Sequence, residues 1–252
     1  MDTVIYEKKN PVAWITINRP QVMNACDPLT TDYIYECEQD FDKDPELKVL
    51  VLTGAGERAF CTGMDLKAAA ARIAAGGPVS NVVPPYMKTG KVTIAAVNGY
   101  AVAGGLERAL ACDIRIASEN AQFGCFEIRR GLPNPPDPLI RIIGFGPALH
   151  MLLSGDLIDA QEALRIGLVT QVVPPQDLIP TVESLAGRIG EHPAEVLVAT
   201  KQAAFVGRDL PTEQSHLYTR ALSAPLRDSQ NSREGVTAFA ERRKANYGES
   251  TG

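Results

Sequence analysis

The sequence predicts an α/β fold with a helical C-terminal region, and three observations predict it. Short, nearly continuous apolar runs such as VLVLTG (49–54) and VTIAAV (92–97) read as strands buried on both faces of a sheet. Helical patterns separate those runs, as in an α/β domain. From about residue 191 onward only helical patterns remain. The 252 residues are 45% hydrophobic and 22% charged, enough to bury a core without a disulfide or metal staple.

The elements follow in order. VIYEKKN (4–10) and VAWITIN (12–18) read as two strands, and NRP (18–20) breaks the chain. DPLTTDYIYECEQDFDKD (27–44) reads as a helix, with Asp27 as N-cap, Pro28 at the first position and an apolar stripe at Leu29, Tyr33, Cys37 and Phe41. The strand KVLVLTG (48–54) leads through a loop, GAGERAFCTG (54–63), into an Ala-rich helix over 65–75. The strand VTIAAVNG (92–99) leads to a helix that opens at Gly104. DIRIAS (113–118) and AQFGCFE (121–127) are two further strands. After GLPNPPDP (131–138) the pattern is mostly helical, with one strand in GLVTQVV (167–173). The expected organisation is an α/β core over 1–190 and a helical region over 191–252.

Charge and motifs exclude several functions. A formal net charge of -5 argues against general binding to nucleic acid or a membrane surface. No apolar run reaches the roughly 18 residues a membrane helix needs, and the start of the chain lacks the pattern of a signal peptide. Five cysteines without a C-x-x-C pair read as thiols in a reducing compartment, so a cytoplasmic protein is expected. His150, His192 and His216 have no metal-ligand spacing. GAGERA (54–59) imitates a dinucleotide fingerprint, but no acidic residue lies between Asp65 and Glu107 to hold a ribose, so its glycines read as a tight loop.

Two loops remain, AFCTGMDLK (59–67) and GYAVAGGLE (99–107), each running from a buried strand into a helix. If the sheet sets them side by side, one backbone N–H from each could point at a single carbonyl oxygen, aided by two helix dipoles. Two ordinary strand-to-helix turns would leave the same pattern. Glu107 fits either a helix-capping carboxylate or an acid–base group, and Glu127 either a solvated strand-end acid or its partner.

Several stretches in order resemble the enoyl-CoA hydratase/isomerase (crotonase) family along almost the whole chain. They are INRPQVMNA (17–25), VLVLTGAGERAFCTGMDLK (49–67), IAAVNGYAVAGGLERALACDIRIASENAQFG (94–124), LLSGDLIDAQEALRIGLVTQVVP (152–174) and EGVTAFAERR (234–243). The resemblance implies a spiral of β-β-α units whose C-terminal helices pack in a homotrimer or a hexamer of two trimers. It implies an acyl-CoA substrate and no metal or redox cofactor. Met64 and Gly104 would supply the oxyanion N–H groups, and Glu107 and Glu127 the catalytic carboxylates. Asp65, Leu66 and Lys67 would line the CoA and acyl channel, with Val22 near the nucleotide end. The implied reaction is addition of water across the 2,3 double bond. Alternatives are isomerisation by Glu127 alone, another reaction on an atypical acyl-CoA, and a non-catalytic acyl-CoA-binding role.

The sequence departs from the family at NPPD (134–137), where hydratases carry a glycine-rich run. Pro135 and Pro136 remove two N–H donors and fix φ near about −65°. Asp137 is expected to cap the following helix, with Pro138 at its first position. Arg108 and Met64 are also atypical there.

Overall fold

The backbone alternates its buried side chains between two cores, and that alternation fixes the architecture. The computed structural model describes residues 2–79 and 89–247. Its strands are β1 (Val4–Lys9), β2 (Val12–Ile17), β3 (Val49–Gly54), β4 (Ala59–Cys61), β5 (Val92–Val97), β6 (Tyr100–Val102), β7 (Ile114–Ser118), β8 (Gln122–Gly124), β9 (Ile158–Asp159) and β10 (Gln171–Val173). Its helices are α1 (Pro28–Lys43), α2 (Leu66–Ala74), α3 (Gly104–Ala111), α4 (Asp137–Ile143), α5 (Phe145–Ser154), α6 (Ala160–Arg165), α7 (Leu178–Gly190), α8 (Ala194–Gly207), α9 (Thr212–Ser223) and α10 (Gln230–Ala240).

Six strands form the main sheet in the order β1-β2-β3-β5-β7-β10, antiparallel only at β1-β2. Every residue of β3 and β5 is buried, as central parallel strands require. Ile15, Ile17, Leu50, Leu52, Ala95 and Val97 point into one core, which also takes Ile34 and Phe41 from α1. Their sequence neighbours Trp14, Val49, Val51, Ile94 and Ala96 point into the other, where Val182 and Ala186 of α7 cover them. A one-residue slip of any strand would exchange the two sets, so the register is strongly specified.

A second sheet, in the order β4-β6-β8-β9, repeats the advance of the first. β4, β6 and β8 each follow closely after β3, β5 and β7, and β4 and β6 each lead into a helix. This is the spiral of β-β-α units expected from the resemblance. Asn98 stitches two turns together by donating to the Gly54 and Gly56 carbonyls at 2.8 and 2.6 Å. Gly99 permits this packing: a Cβ there would stand 2.4 Å from the Arg58 carbonyl oxygen.

Four expectations need correction, and the first is that the stretch after residue 131 holds two strands, β9 and β10, where one was expected, because the two residues of β9 are too few for any pattern. The segments read as loops at 59–61 and 100–102 are the strands β4 and β6, too short for a periodic signal. In α1 the buried positions are Thr30, Ile34 and Phe41, while Leu29 and Tyr33 are exposed. A spacing of four residues drifts about 40° per step around a helix, so a stripe of three such steps cannot stay on one face. Asp137 is the first residue of α4, Pro136 occupies the capping position, and the helix start carries no side-chain cap.

Among the described residues after 191 the chain forms α8, α9, a short turn at Ala224–Leu226 and α10. Lys201 of α8 ties this region to the sheet, pairing with Asp113 at 2.8 Å and donating to the Lys91 carbonyl at 2.7 Å. No helix among the described residues is long and apolar enough to cross a membrane. All five cysteines are free.

Candidate active site

The first loop leaves β4 through Thr62 and turns at Gly63, whose φ of +85° favours glycine. The Cys26 N–H then donates to the Gly63 carbonyl at 2.7 Å, and the Asp65 N–H to the Cys26 carbonyl at 2.9 Å. These two bonds pin the segment on either side of Met64. No acceptor among the described residues takes the Met64 N–H.

Asp65 caps α2, accepting from the N–H groups of Lys67 and Ala68 at 3.0 and 3.3 Å. Arg19 pairs with the Asp65 carboxylate at 3.1 Å and with Asp27, the N-cap of α1, also at 3.1 Å. One guanidinium therefore joins two helix caps. Burial works against the Asp27 charge. The Thr30 N–H and hydroxyl, together with Arg19, outweigh it and hold the carboxyl below its ordinary range. The Asp65 carboxylate is thus committed to the fold. Leu66 and Lys67 are exposed in the first turn of α2. Val22 closes the short helical turn Pro20–Val22, which Thr62 tethers to the first loop through a hydroxyl bond to the Met23 carbonyl at 3.1 Å.

The second loop leaves β6 through Ala103, which is held at φ 52°, ψ -135°. Alanine rarely adopts this conformation, and such strain persists only where surrounding contacts impose it. Here the Ala103 N–H is held by the Gly124 carbonyl at 3.0 Å, and its own carbonyl accepts from the Glu107 N–H at 3.1 Å. The Gly104 N–H opens α3 without an acceptor among the described residues. A Cβ placed on Gly63 would lie 2.8 Å from the Gly104 nitrogen, and one on Gly105 would lie 1.9 Å from the Cys61 carbonyl oxygen. The two loops are thus in contact, Gly63 against the Gly104 nitrogen and Gly105 against the Cys61 carbonyl, with Met64 next in the chain after Gly63.

Glu107 lies at the fourth position of α3, one beyond the place from which a capping-box carboxylate reaches back. Glu127 follows β8, whose Gly124 carbonyl holds the second loop. Glu127 is part-buried and accepts from Asn134 Nδ2 at 2.7 Å. Burial pushes its pKa above the usual carboxylate range, and the charge of Glu107 adds to the rise. The Cys125 thiol is pushed up to about 12, first by burial and then by the same two carboxylates. Glu107 and Glu127 therefore share one electrostatic neighbourhood.

Four residues have roles that the sequence does not show, although Asn134 stands in the NPPD departure and Gly63 in the first loop. Gly63 and Ala103 carry signals only in backbone angles, and Asn134 and Arg19 only in contacts made across the fold. Among the described residues no group of three or more His, Cys, Asp or Glu is arranged to hold a metal ion.

Two backbone N–H groups without an acceptor among the described residues, one just before the cap of α2 and one at the first position of α3, stand with two glutamates in the same region and could serve a particular chemistry. Such a site can hold a carbonyl oxygen as it gains charge while protons move on neighbouring carbons. Known proteins agree with this class. A sequence model described as enoyl-CoA hydratase/isomerase matches residues 7–250. The chain is 46% identical over 252 residues to (E)-benzylidenesuccinyl-CoA hydratase of Thauera aromatica, covering 95% of this chain and 96% of the relative. It is 36% identical over 257 residues to crotonyl-CoA hydratase of Syntrophomonas wolfei, covering 98% of each. The crystal structure of enoyl-CoA hydratase from Mycobacterium tuberculosis superposes with a TM-score of 0.88 at 32% identity, covering 98% of this chain and 99% of that one. The chain belongs to the enoyl-CoA hydratase/isomerase family.

Proposed function

We propose that the protein is an enoyl-CoA hydratase that acts on a bulky acyl group. The observation that carries this reading is the contact of the two loops beside the Met64 and Gly104 amides, neither of which has an acceptor among the described residues, with Glu107 and Glu127 in one neighbourhood. The thioester oxygen accepts from both N–H groups and takes up negative charge as the enolate forms. Glu107 removes a proton from a water that attacks Cβ. Glu127, whose burial favours the protonated form, delivers a proton to Cα. Water and substrate supply every atom and no electron is transferred, so this step calls on no redox cofactor, and the two N–H groups take the charge-stabilising role on the thioester oxygen that a metal could otherwise fill. Leu66 and Lys67 lie along the acyl and CoA path, with the backbone of Asp65, and Val22 lies toward the nucleotide.

Bulk at the acyl end is supported by the segment 134–137, where two prolines stiffen the chain, and by a relative named for an aryl-bearing acyl group. The helical end exposes large apolar side chains, Phe239 at 87% and Val236 at 71%, which favours a homotrimer or hexamer of acyl-CoA-binding subunits. Free cysteines agree with a cytoplasmic setting.

The test is a mass-spectrometric screen of 2-enoyl-CoA esters that ranges from crotonyl-CoA to aryl-substituted and branched acyl groups. The expected result is a gain of one water, fastest on the bulky esters. Tight binding without any mass change across the panel would instead favour an acyl-CoA-binding protein.

A further inference from the structure

The NPPD segment reaches the catalytic neighbourhood through one side chain. Glu127 precedes a short helical turn, Ile128–Arg130, and its carbonyl accepts from the Arg130 N–H at 2.8 Å and, beyond the turn, from the Leu132 N–H at 3.1 Å. Gly131, with φ 68°, reverses the chain in the left-handed region that glycine enters without strain. The chain therefore doubles back past Glu127, and Asn134 is the residue that meets it. Its Nδ2 lies 2.7 Å from Glu127 Oε2. The NH2 group donates to Oε2, and that oxygen accepts the bond both when the carboxyl carries its proton on Oε1 and after the proton has left.

Asn134 stands between Pro133 and Pro135. The residue before a proline is restricted to extended backbone, and Pro133 fixes its own φ on the other side. A donor on so stiff a segment loses little entropy in holding its bond. Pro135, Pro136 and Asp137 are exposed, whereas Asn134 is turned inward and part-buried. The remaining charges near Glu127 do not do this task. Glu107 of α3 repels it, and the Cys125 thiol lies before it in the chain. Arg129 stacks over the Phe126 ring at 4.3 Å and reaches Asp156 at 3.9 Å, and Arg130 is exposed, with its Nη1 on the Arg129 carbonyl at 3.3 Å.

We propose that Asn134 is a positioning residue for Glu127, holding Oε2 so that Oε1 faces the substrate and the carboxylate left after proton delivery is stabilised. The proposal rests on the reading of Glu127 as proton donor. It also gives the NPPD segment a second task beyond walling the acyl pocket: its prolines brace a hydrogen-bond donor.

Two near-isosteric variants test it on the best acyl-CoA ester of the screen. Asn134→Leu removes the donor, and Asn134→Asp replaces it with a like charge. Both should leave KM within about twofold and lower kcat by about ten- to a hundredfold, the range for a lost hydrogen bond to a charged group. Both should move the high-pH limb of kcat/KM, where Glu127 loses its proton, to higher pH. The order should be wild type, then Leu, then Asp, with the low-pH limb unmoved. An unmoved high-pH limb, or a rise in KM with kcat preserved, would overturn the proposal, because a packing role would give either. Glu127→Gln is measured alongside. If it retains full rate, the reading of Glu127 itself fails. If it is inactive while both Asn134 variants match wild type, only the present inference fails.

Discussion

Glu107 and Glu127 occur in a chain with 30 acidic residues, and what sets them apart is their surroundings. Glu127 is part-buried beside a like charge, so its ionised form is costly. Glu107→Gln and Glu127→Gln should each lower kcat by about 10² or more, the usual span for general acid–base groups, with CoA-ester affinity little changed. Turnover by stopped-flow and affinity by calorimetry would check this. Stability should respond too. A carboxyl whose folded pKa is raised destabilises the fold as pH climbs through and above the carboxylate range, and not below it. Glu127→Gln should therefore raise Tm at neutral pH, with the gain shrinking as pH falls through that range. Gly63 makes a different demand. Alanine there would carry about 1–3 kcal/mol of backbone strain and push on the Gly104 nitrogen. Gly63→Ala should fold less stably in thermal melts and lose about 10²–10³ in kcat, the effect of disturbing an oxyanion donor.

At the scale of elements, the site depends on where two helices begin. α1 and α2 start at Asp27 and Asp65, and Arg19 bridges both carboxylates from a side chain only 14% exposed. Removing it leaves two part-buried acids facing each other. Arg19→Met should cost about 2–3 kcal/mol, less than a fully buried pair because solvent reaches the carboxylates. Asp27 has a lowered pKa, so its contribution is present above the ordinary carboxylate pKa and fades as pH falls through the folded value. The gap between wild type and Arg19→Met in denaturant melts should accordingly narrow below about pH 4. Most elements were legible in sequence. β3 and β5 announced themselves by unbroken apolar runs, and the Asp27-Pro28 pair marked a helix start. β4 and β6 did not, because three residues carry no period. Arg19 did not, because its two partners lie 8 and 46 residues away in sequence and meet only in the folded chain.

At the scale of the molecule, family membership was legible because several loose stretches occur in one order over most of the chain. The contact of the two loops was legible only as a possibility: two strand-to-helix turns look alike whether or not they touch, and the Gly63–Gly104 approach is a property of the spiral. Acyl preference belongs to this scale as well, since it depends on how the segment 134–137 stands against the rest. Pro135→Gly with Pro136→Gly should restore backbone freedom and broaden the range of acyl groups accepted, leaving CoA affinity alone. Profiles of kcat/KM across acyl lengths and shapes would check this, and superimposable profiles would show that the segment does not set specificity. The central claim is that this site adds water. It is tested most directly by turning over an aryl-substituted 2-enoyl-CoA in water enriched in heavy oxygen and locating the label by mass spectrometry. The account predicts one heavy oxygen at Cβ in the wild-type product, and the same label accumulating about 10² or more times slower with Glu107→Gln. A product that has shifted its double bond without gaining oxygen, at a rate that Glu107→Gln leaves intact, would contradict it.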